Sequence, residues 1–159
     1  GRRSWDYIIA LATEAILHYI LSRTFMRITM GVSAVQTGTA FHAASLIDQI
    51  IGRLRQNDRQ EIVVAHNEEF GVDMLLLSDG RWKIRSKYSE YLIPLPAMIT
   101  DLLIKFARLE DPEFQKYVGI LDLYDSYEAY HKRSRAYVEK NFPNFLKRFI
   151  DRLVTILAK

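Results

Sequence analysis

Apolar residues near the start of the chain predict two helices. From Ser4 to about Met30 they fall on nearly every face of a helix, which is typical of a buried central helix. A second apolar stripe, with spacing i, i+3, i+4 and i+7, predicts a helix over about 39–56. The polar run 56–58 would end it. We therefore expect the first helix at the centre of the domain and the second packed beside it.

Between residues 61 and 88 the periodicity changes to short, β-branched runs that predict a three-stranded antiparallel meander. Asp79-Gly80 lies between two of these runs and indicates a two-residue hairpin loop, in which both residues take positive φ. Such a loop predicts the register of the second and third strands. It would pair Ser78 with Arg81, Leu77 with Trp82, Leu76 with Lys83 and Leu75 with Ile84.

After the prolines at 94 and 96, four further helices are predicted. The first contains Met98 to Phe106, and Asp111-Pro112 opens the second, because proline is favoured at the first helical position. The third covers about 126–141, and the last covers 143–158 with one broad apolar face. The expected fold class is α+β and predominantly α: two N-terminal helices, the central meander (about 61–88) and four helices, in a single domain over 1–159.

Composition supports a globular domain, since 49% of the residues are apolar and 26% are charged. The absence of cysteine is typical of a cytoplasmic protein. The chain begins with Gly rather than Met, so we expect a trimmed chain or a piece of a longer protein. The uncharged stretch 28–47 contains many polar residues, so no integral membrane segment is expected.

Sequence motifs for catalysis, nucleotides or metals are missing. The chain has no phosphate-binding glycine loop, no nucleophile elbow and no His-Glu-x-x-His. A single Glu128-x-x-His131 has the spacing of di-iron bundles, but that chemistry requires a second copy of the motif. We therefore expect no metal and no cofactor, and the sequence leans away from an enzyme.

Charge is distributed unevenly and draws attention to the predicted helix 126–141. Residues 101–128 carry seven acidic and three basic side chains, whereas residues 129–159 carry eight basic and two acidic ones. Tyrosine together with arginine is the composition of protein-interaction hot spots. The candidate partner-binding residues on this helix are Tyr127, Tyr130, Tyr137, Arg133 and Arg135.

The third predicted strand carries an alternating row of cations: Arg81, Lys83, Arg85 and Lys87. Alternation places them on one face, as a candidate anion-binding ladder for the phosphates of a nucleic acid. The predicted register puts Val72, Met74 and Leu76 on the same face, without aromatic rings for base stacking. The alternative is an edge strand protected from aggregation by lysine and arginine.

Glu14 and His18 lie four residues apart on the first predicted helix and form a candidate pocket. A buried carboxylate needs a partner, which a histidine at i+4 supplies. The pair therefore indicates either an acid/base or ligand-binding site or a structural pair that satisfies itself.

Three functional hypotheses follow. The first is a non-catalytic protein-interaction or regulatory domain that binds a protein partner or a second copy of itself. The second is a nucleic-acid-binding module that uses the basic strand and the basic C-terminal helices. The third is a small-ligand sensor or enzyme with the Glu14/His18 pocket.

Overall fold

The computed structural model describes residues 4–29, 43–121 and 140–158. Two helices, α1 (Trp5–Thr29) and α2 (Ala43–Gln56), precede four strands: β1 (Glu61–Asn67), β2 (Val72–Leu77), β3 (Trp82–Arg85) and β4 (Glu90–Ile93). Three helices follow: α3 (Leu95–Arg108), α4 (Pro112–Leu121) and α5 (Pro143–Leu157). The class is α+β, as the periodicity predicts.

Helix α1 is the centre of the core. It contacts α2, α3, α4 and β1, and between Ile8 and Leu21 its buried apolar side chains lie on all sides of the helix. A hydrogen bond of 2.9 Å joins the hydroxyls of Thr13 on α1 and Thr100 on α3. The prediction of a buried central helix is therefore confirmed.

Helices α3, α4 and α5 pack through aromatic rings. Phe145 on α5 contacts Phe106 on α3 at a centroid distance of 5.7 Å and Phe114 on α4 at 5.8 Å. Tyr117 adds contacts with Phe142 and Phe145. Offset and edge-to-face rings at these distances stabilise the contact beyond the area that they bury.

The sheet has four strands in the order β1-β2-β3-β4, all antiparallel, so the predicted three-stranded meander is wrong in its last part. Residues 81–88 do not form one strand. The chain turns at Lys87-Tyr88, and the Ser86 N–H donates a 2.8 Å hydrogen bond to the Ser89 carbonyl across this turn. The pattern missed this turn because neither loop residue is a glycine, asparagine or proline.

The hairpin between β2 and β3 also differs from the prediction. Only Gly80 of the Asp-Gly pair takes a positive φ, of 89°. The loop has three residues, because the Gly80 N–H bonds to the Leu77 carbonyl and the Leu77 N–H bonds to the Arg81 carbonyl, both at 2.9 Å. This is the three-residue loop in which glycine follows a tight turn.

The longer loop moves the β2–β3 register by one residue. Leu76 faces Trp82, Leu75 faces Lys83 and Asp73 faces Arg85. A shift of one residue exchanges the two faces of a strand. The cations of β3 therefore share a face with Asp73 and Leu75, and the predicted neighbours Val72, Met74 and Leu76 lie on the opposite, core face.

The described helices number two before the sheet and three after it, against the predicted two and four. The predicted helix 126–141 falls almost entirely outside the described residues. The predicted start at Pro112 is confirmed, and the Phe114 N–H bonds to Asp111 Oδ1 at 3.0 Å as an N-cap.

Candidate interaction surface

The face of the sheet that points away from the core residues Met74, Leu76, Trp82 and Ile84 is called the outer face below. It carries one row of polar residues and one row of mostly apolar residues across the strands. The polar row is His66, Asp73, Arg85 and Glu90, and the second row is Val63, Leu75, Lys83 and Leu92. Glu61, at the start of β1, lies on the same face.

Lys83 lies at the centre of the outer face and binds two carboxylates. Its Nζ is 2.9 Å from Glu61 Oε2 on β1 and 2.8 Å from Glu90 Oε2 on β4. The hydrogen bonds that Lys83 donates to Glu90 and Glu61 raise the pKa of Lys83. The hydrogen bond from Lys83 in turn lowers the pKa of Glu61.

Arg85 is tied to acids in the same way. It donates to Glu61, and its Nη2 is 3.5 Å from Asp73 Oδ2. Asp73 also lies 2.5 Å from His66 Nδ1. Arg81, at the end of the hairpin loop, pairs with Asp79 at 2.7 Å.

These contacts bear on the proposed anion-binding ladder. Three of its four cations, Arg81, Lys83 and Arg85, are paired with carboxylates, and Lys87 lies over the ring of Tyr88 at 5.3 Å. Within the described outer face, three carboxylates (Glu61, Asp73, Glu90) face two cations. Phosphate binding requires cations in excess of the acids around them.

Leu75 shows what the ion pairs do to the outer face. It lies between Val63 and Lys83, and it is 0% exposed although it is on the face opposite the core. The Glu61–Lys83 pair joins β1 to β3 and so must pass over β2. The stems of such long side chains cover apolar surface while their charges stay near water.

The edge strand β4 and the turn before it carry exposed apolar side chains. Tyr88 is 87% exposed, Leu92 is 52% exposed and Tyr91 is 41% exposed. The Tyr91 hydroxyl donates to the Leu157 carbonyl at the end of α5, and burial raises the pKa of Tyr91. Residues 88–92 are called the β4 edge below.

Glu14 and His18 lie on α1, as predicted, but in different environments. His18 is 6% exposed, whereas Glu14 is partly exposed. The pocket hypothesis remains a prediction for these two residues. Among residues 4–29, 43–121 and 140–158, no group of three or more histidine, aspartate or glutamate side chains is arranged to hold a metal ion.

The candidate partner-binding residues Tyr127, Tyr130, Tyr137, Arg133 and Arg135 lie outside the described residues. Sequence reasoning missed the β4 edge and the role of Glu61. The sequence did contain a signal for the role of Glu61, since Glu61 and Asp73 are acidic residues on the two predicted strands that precede the cationic strand. Only the correct loop length would have placed Asp73 opposite Arg85.

Comparison of this chain with protein-family models, with curated proteins and with solved structures finds no match. None of the described helices has both the length and the apolar character that crossing a membrane requires.

Proposed function

We propose that this chain is a non-catalytic protein-interaction domain and that the β4 edge is part of its binding surface. The observation that carries the proposal is the exposure of Tyr91 and Leu92 on the edge strand and of Tyr88 in the turn before it. Edge strands offer backbone hydrogen bonds to an extended partner, and the side chains beside them supply specificity. Tyrosine is enriched at such interfaces because it combines a large apolar ring with a polar group.

The nucleic-acid hypothesis is the second candidate, and the described residues favour it less. Its basic strand is β3, whose cations Lys83 and Arg85 are held by acids of the same sheet. Releasing them for phosphate would leave Glu61 and Glu90 close together without a counter-charge. That cost opposes anion binding on this face.

Binding experiments with surface variants test the proposal. Three proteins are immobilised: the wild-type domain, the double variant Tyr88→Ser/Leu92→Ser and the control Leu109→Ser. Each is incubated with a nuclease-treated cell extract, and the proteins that it retains are quantified. Leu109 is 80% exposed and lies in the turn after α3, so it is a matched apolar surface position. We expect a partner that is retained by the wild type and the control and is lost, by tenfold or more, from the double variant.

A second measurement addresses the alternative directly. A labelled single-stranded oligonucleotide is titrated with the wild type and with Lys83→Gln/Arg85→Gln at several salt concentrations. Affinity that falls steeply with salt, and a slope reduced by the double substitution, would favour the nucleic-acid module over the interaction domain.

A further inference from the structure

The backbone N–H and C=O groups of Glu90 and Leu92 point away from β3. The Ser86 N–H bonds to the Ser89 carbonyl at 2.8 Å, and hydrogen-bonded and non-hydrogen-bonded pairs alternate along an antiparallel ladder. The pairs Arg85–Glu90 and Lys83–Leu92 are then the non-hydrogen-bonded ones.

The other side of β3 leads to the same assignment. The Leu77 N–H bonds to the Arg81 carbonyl, so the alternation directs the backbone groups of Lys83 and Arg85 toward β2. In the described part of the sheet no strand lies beyond β4. The groups of Glu90 and Leu92 therefore form a regular row of donors and acceptors along the edge.

The two edges of the sheet are not equivalent. The register of β1 shifts between Val63 and Ala65, which is a bulge, and bulges discourage the addition of another strand. The pairing of β4 with β3 is regular through all four residues. Of the two edges, β4 is the one suited to pairing.

The row of side chains around Lys83 indicates which kind of residue a partner strand at the β4 edge would place next to Leu92. Leu75 lies on one side of Lys83 and Leu92 on the other. On the Leu75 side, Glu61, which is in register with Leu77, reaches Lys83 diagonally across β2, and Leu75 is fully buried. On the Leu92 side no further strand is described and the leucine is 52% exposed. A carboxylate one strand beyond Leu92 would complete the arrangement.

We propose that a second copy of this chain supplies that carboxylate by antiparallel pairing of the two β4 edges about a twofold axis at Tyr91. This proposal rests on the proposed function and names its partner. In this register Glu90 of each copy lies opposite Leu92 of the other, so the outward backbone groups of both residues pair with each other. Tyr91 of one copy lies opposite Tyr91 of the other.

This arrangement allows an opposite-charge contact between Lys83 of one copy and Glu90 of the other. Glu90 of the second copy lies two strand spacings, about 9–10 Å, from Lys83, which the two extended side chains can bridge. Lys83 uses two ammonium donors on Glu61 and Glu90 of its own chain, and the third remains for the second copy. This pair would cover Leu92, which lies between Lys83 and Glu90 of the second copy.

Sedimentation equilibrium over a range of protein concentrations tests the proposal. We expect the mass to rise from 18.6 kDa toward twice that value as the concentration increases. Leu92→Glu places a carboxylate directly opposite Glu90 of the second copy, and this like-charge pair should weaken the association at least tenfold. The matched control Leu109→Glu should leave it unchanged, and circular dichroism establishes that both variants fold.

Crosslinking tests the register. The chain has no cysteine, so Tyr91→Cys introduces a single thiol. In the proposed dimer this thiol lies opposite the same thiol of the second copy, at a distance suited to a disulfide. We expect it to form a disulfide dimer faster than Tyr88→Cys, although Tyr88 is more exposed. Circular dichroism checks that Tyr91→Cys folds without its bond to Leu157.

Three outcomes would overturn the proposal: a monomer at every concentration, a dimer that Leu92→Glu does not weaken, or crosslinking at least as fast through position 88 as through position 91. A monomer that still retains another protein through the β4 edge would overturn this inference alone. In that case the proposed function would stand. If the wild-type protein neither self-associates nor retains another protein, the proposed function is contradicted as well.

Discussion

Lys83 on β3 forms an ion pair with Glu61 on β1, at 2.9 Å, although β2 lies between the two strands. The pair spans β2 diagonally, and Leu75, the β2 residue opposite Lys83, is fully buried on the outer face. A row of cations that resembles a phosphate-binding ladder in the sequence is thereby part of the sheet's own structure. The same geometry, left incomplete at Leu92, is the basis for the proposed pairing of β4 edges.

Replacing Glu61 tests the contribution of this ion pair to stability. Glu61→Gln should lower the free energy of unfolding at pH 7 by about 1 kcal/mol, the upper end for pairs near the surface, because it removes the charge shared by Lys83 and Arg85. Urea unfolding monitored by circular dichroism measures the change. Glu68→Gln, in the exposed β1–β2 turn, is the control and should change stability little.

The pH dependence of the same variant follows from the lowered pKa of Glu61. A group with a depressed pKa in the folded state stabilises the fold above its unfolded value, here 4.5, and this contribution disappears as the pH falls through the folded pKa. Glu61→Gln should therefore lose less stability than the wild type between pH 7 and about pH 3. Equal losses in both proteins would contradict a role for this carboxylate.

Glycine substitutions should have opposite effects in the hairpin and in the helices. Gly80→Ala should destabilise the domain by about 1–3 kcal/mol, because Gly80 has a φ of 89°. Gly52→Ala in α2 and Gly119→Ala in α4 meet no atom within 4 Å and should stabilise by up to about 1 kcal/mol. Thermal unfolding of the three variants provides the test, and a stabilising Gly80→Ala would contradict the three-residue loop.

Asp111 combines a helix cap with an ion pair, and two substitutions separate them. Its Oδ1 accepts from the Phe114 N–H at 3.0 Å, and its Oδ2 is 2.7 Å from Arg148 on α5. Asp111→Ala removes both and should cost about 1–2 kcal/mol. Asp111→Asn retains a capping oxygen and should cost less. Equal losses in denaturant unfolding would show that the cap contributes nothing measurable.

The same carboxyl should contribute to loss of stability in acid. The hydrogen bond from Arg148 lowers the pKa of Asp111 from its usual 3.8, so its contribution is present above that value and is lost as the pH falls through the folded pKa. Arg148→Gln should reduce this acid-dependent loss while leaving the cap in place. Unfolding curves of wild type and variant at several pH values measure the difference.

The aromatic contacts between α3, α4 and α5 should be the costliest to remove. Phe145 is fully buried and contacts rings on both neighbouring helices. Phe145→Ala should lower the free energy of unfolding by about 3–5 kcal/mol. Leu109→Ala, at an 80% exposed position, should stay within about 0.5 kcal/mol of the wild type.

The helices and the buried centre could be predicted from the sequence because they depend on local periodicity. The apolar circumference of α1 and the proline at the start of α4 each indicate their structure without reference to distant residues. The sheet could be located in the same way, by its short β-branched runs. The existence of β4 could not, because Glu90–Ile93 is only four residues long and follows a turn without glycine.

The candidate surface was misread for a related reason. The alternation of Arg81, Lys83 and Arg85 correctly places them on one face, but which residues share that face depends on the length of the Asp79-Gly80 loop. Two or three loop residues are both compatible with Asp-Gly, and the difference of one residue exchanges Met74 for Asp73 and Leu75 as neighbours.

The sequence alone determines the α+β class, the central helix and the presence of a cationic alternation on β3. Only the tertiary structure decides that Glu61 reaches Lys83 across β2 and that β4 is an edge strand of the described sheet. The physical reason is the range of the interactions. Helical periodicity records the burial of each residue on its own element, whereas ion pairs between strands depend on a register that turns and distant chain segments establish.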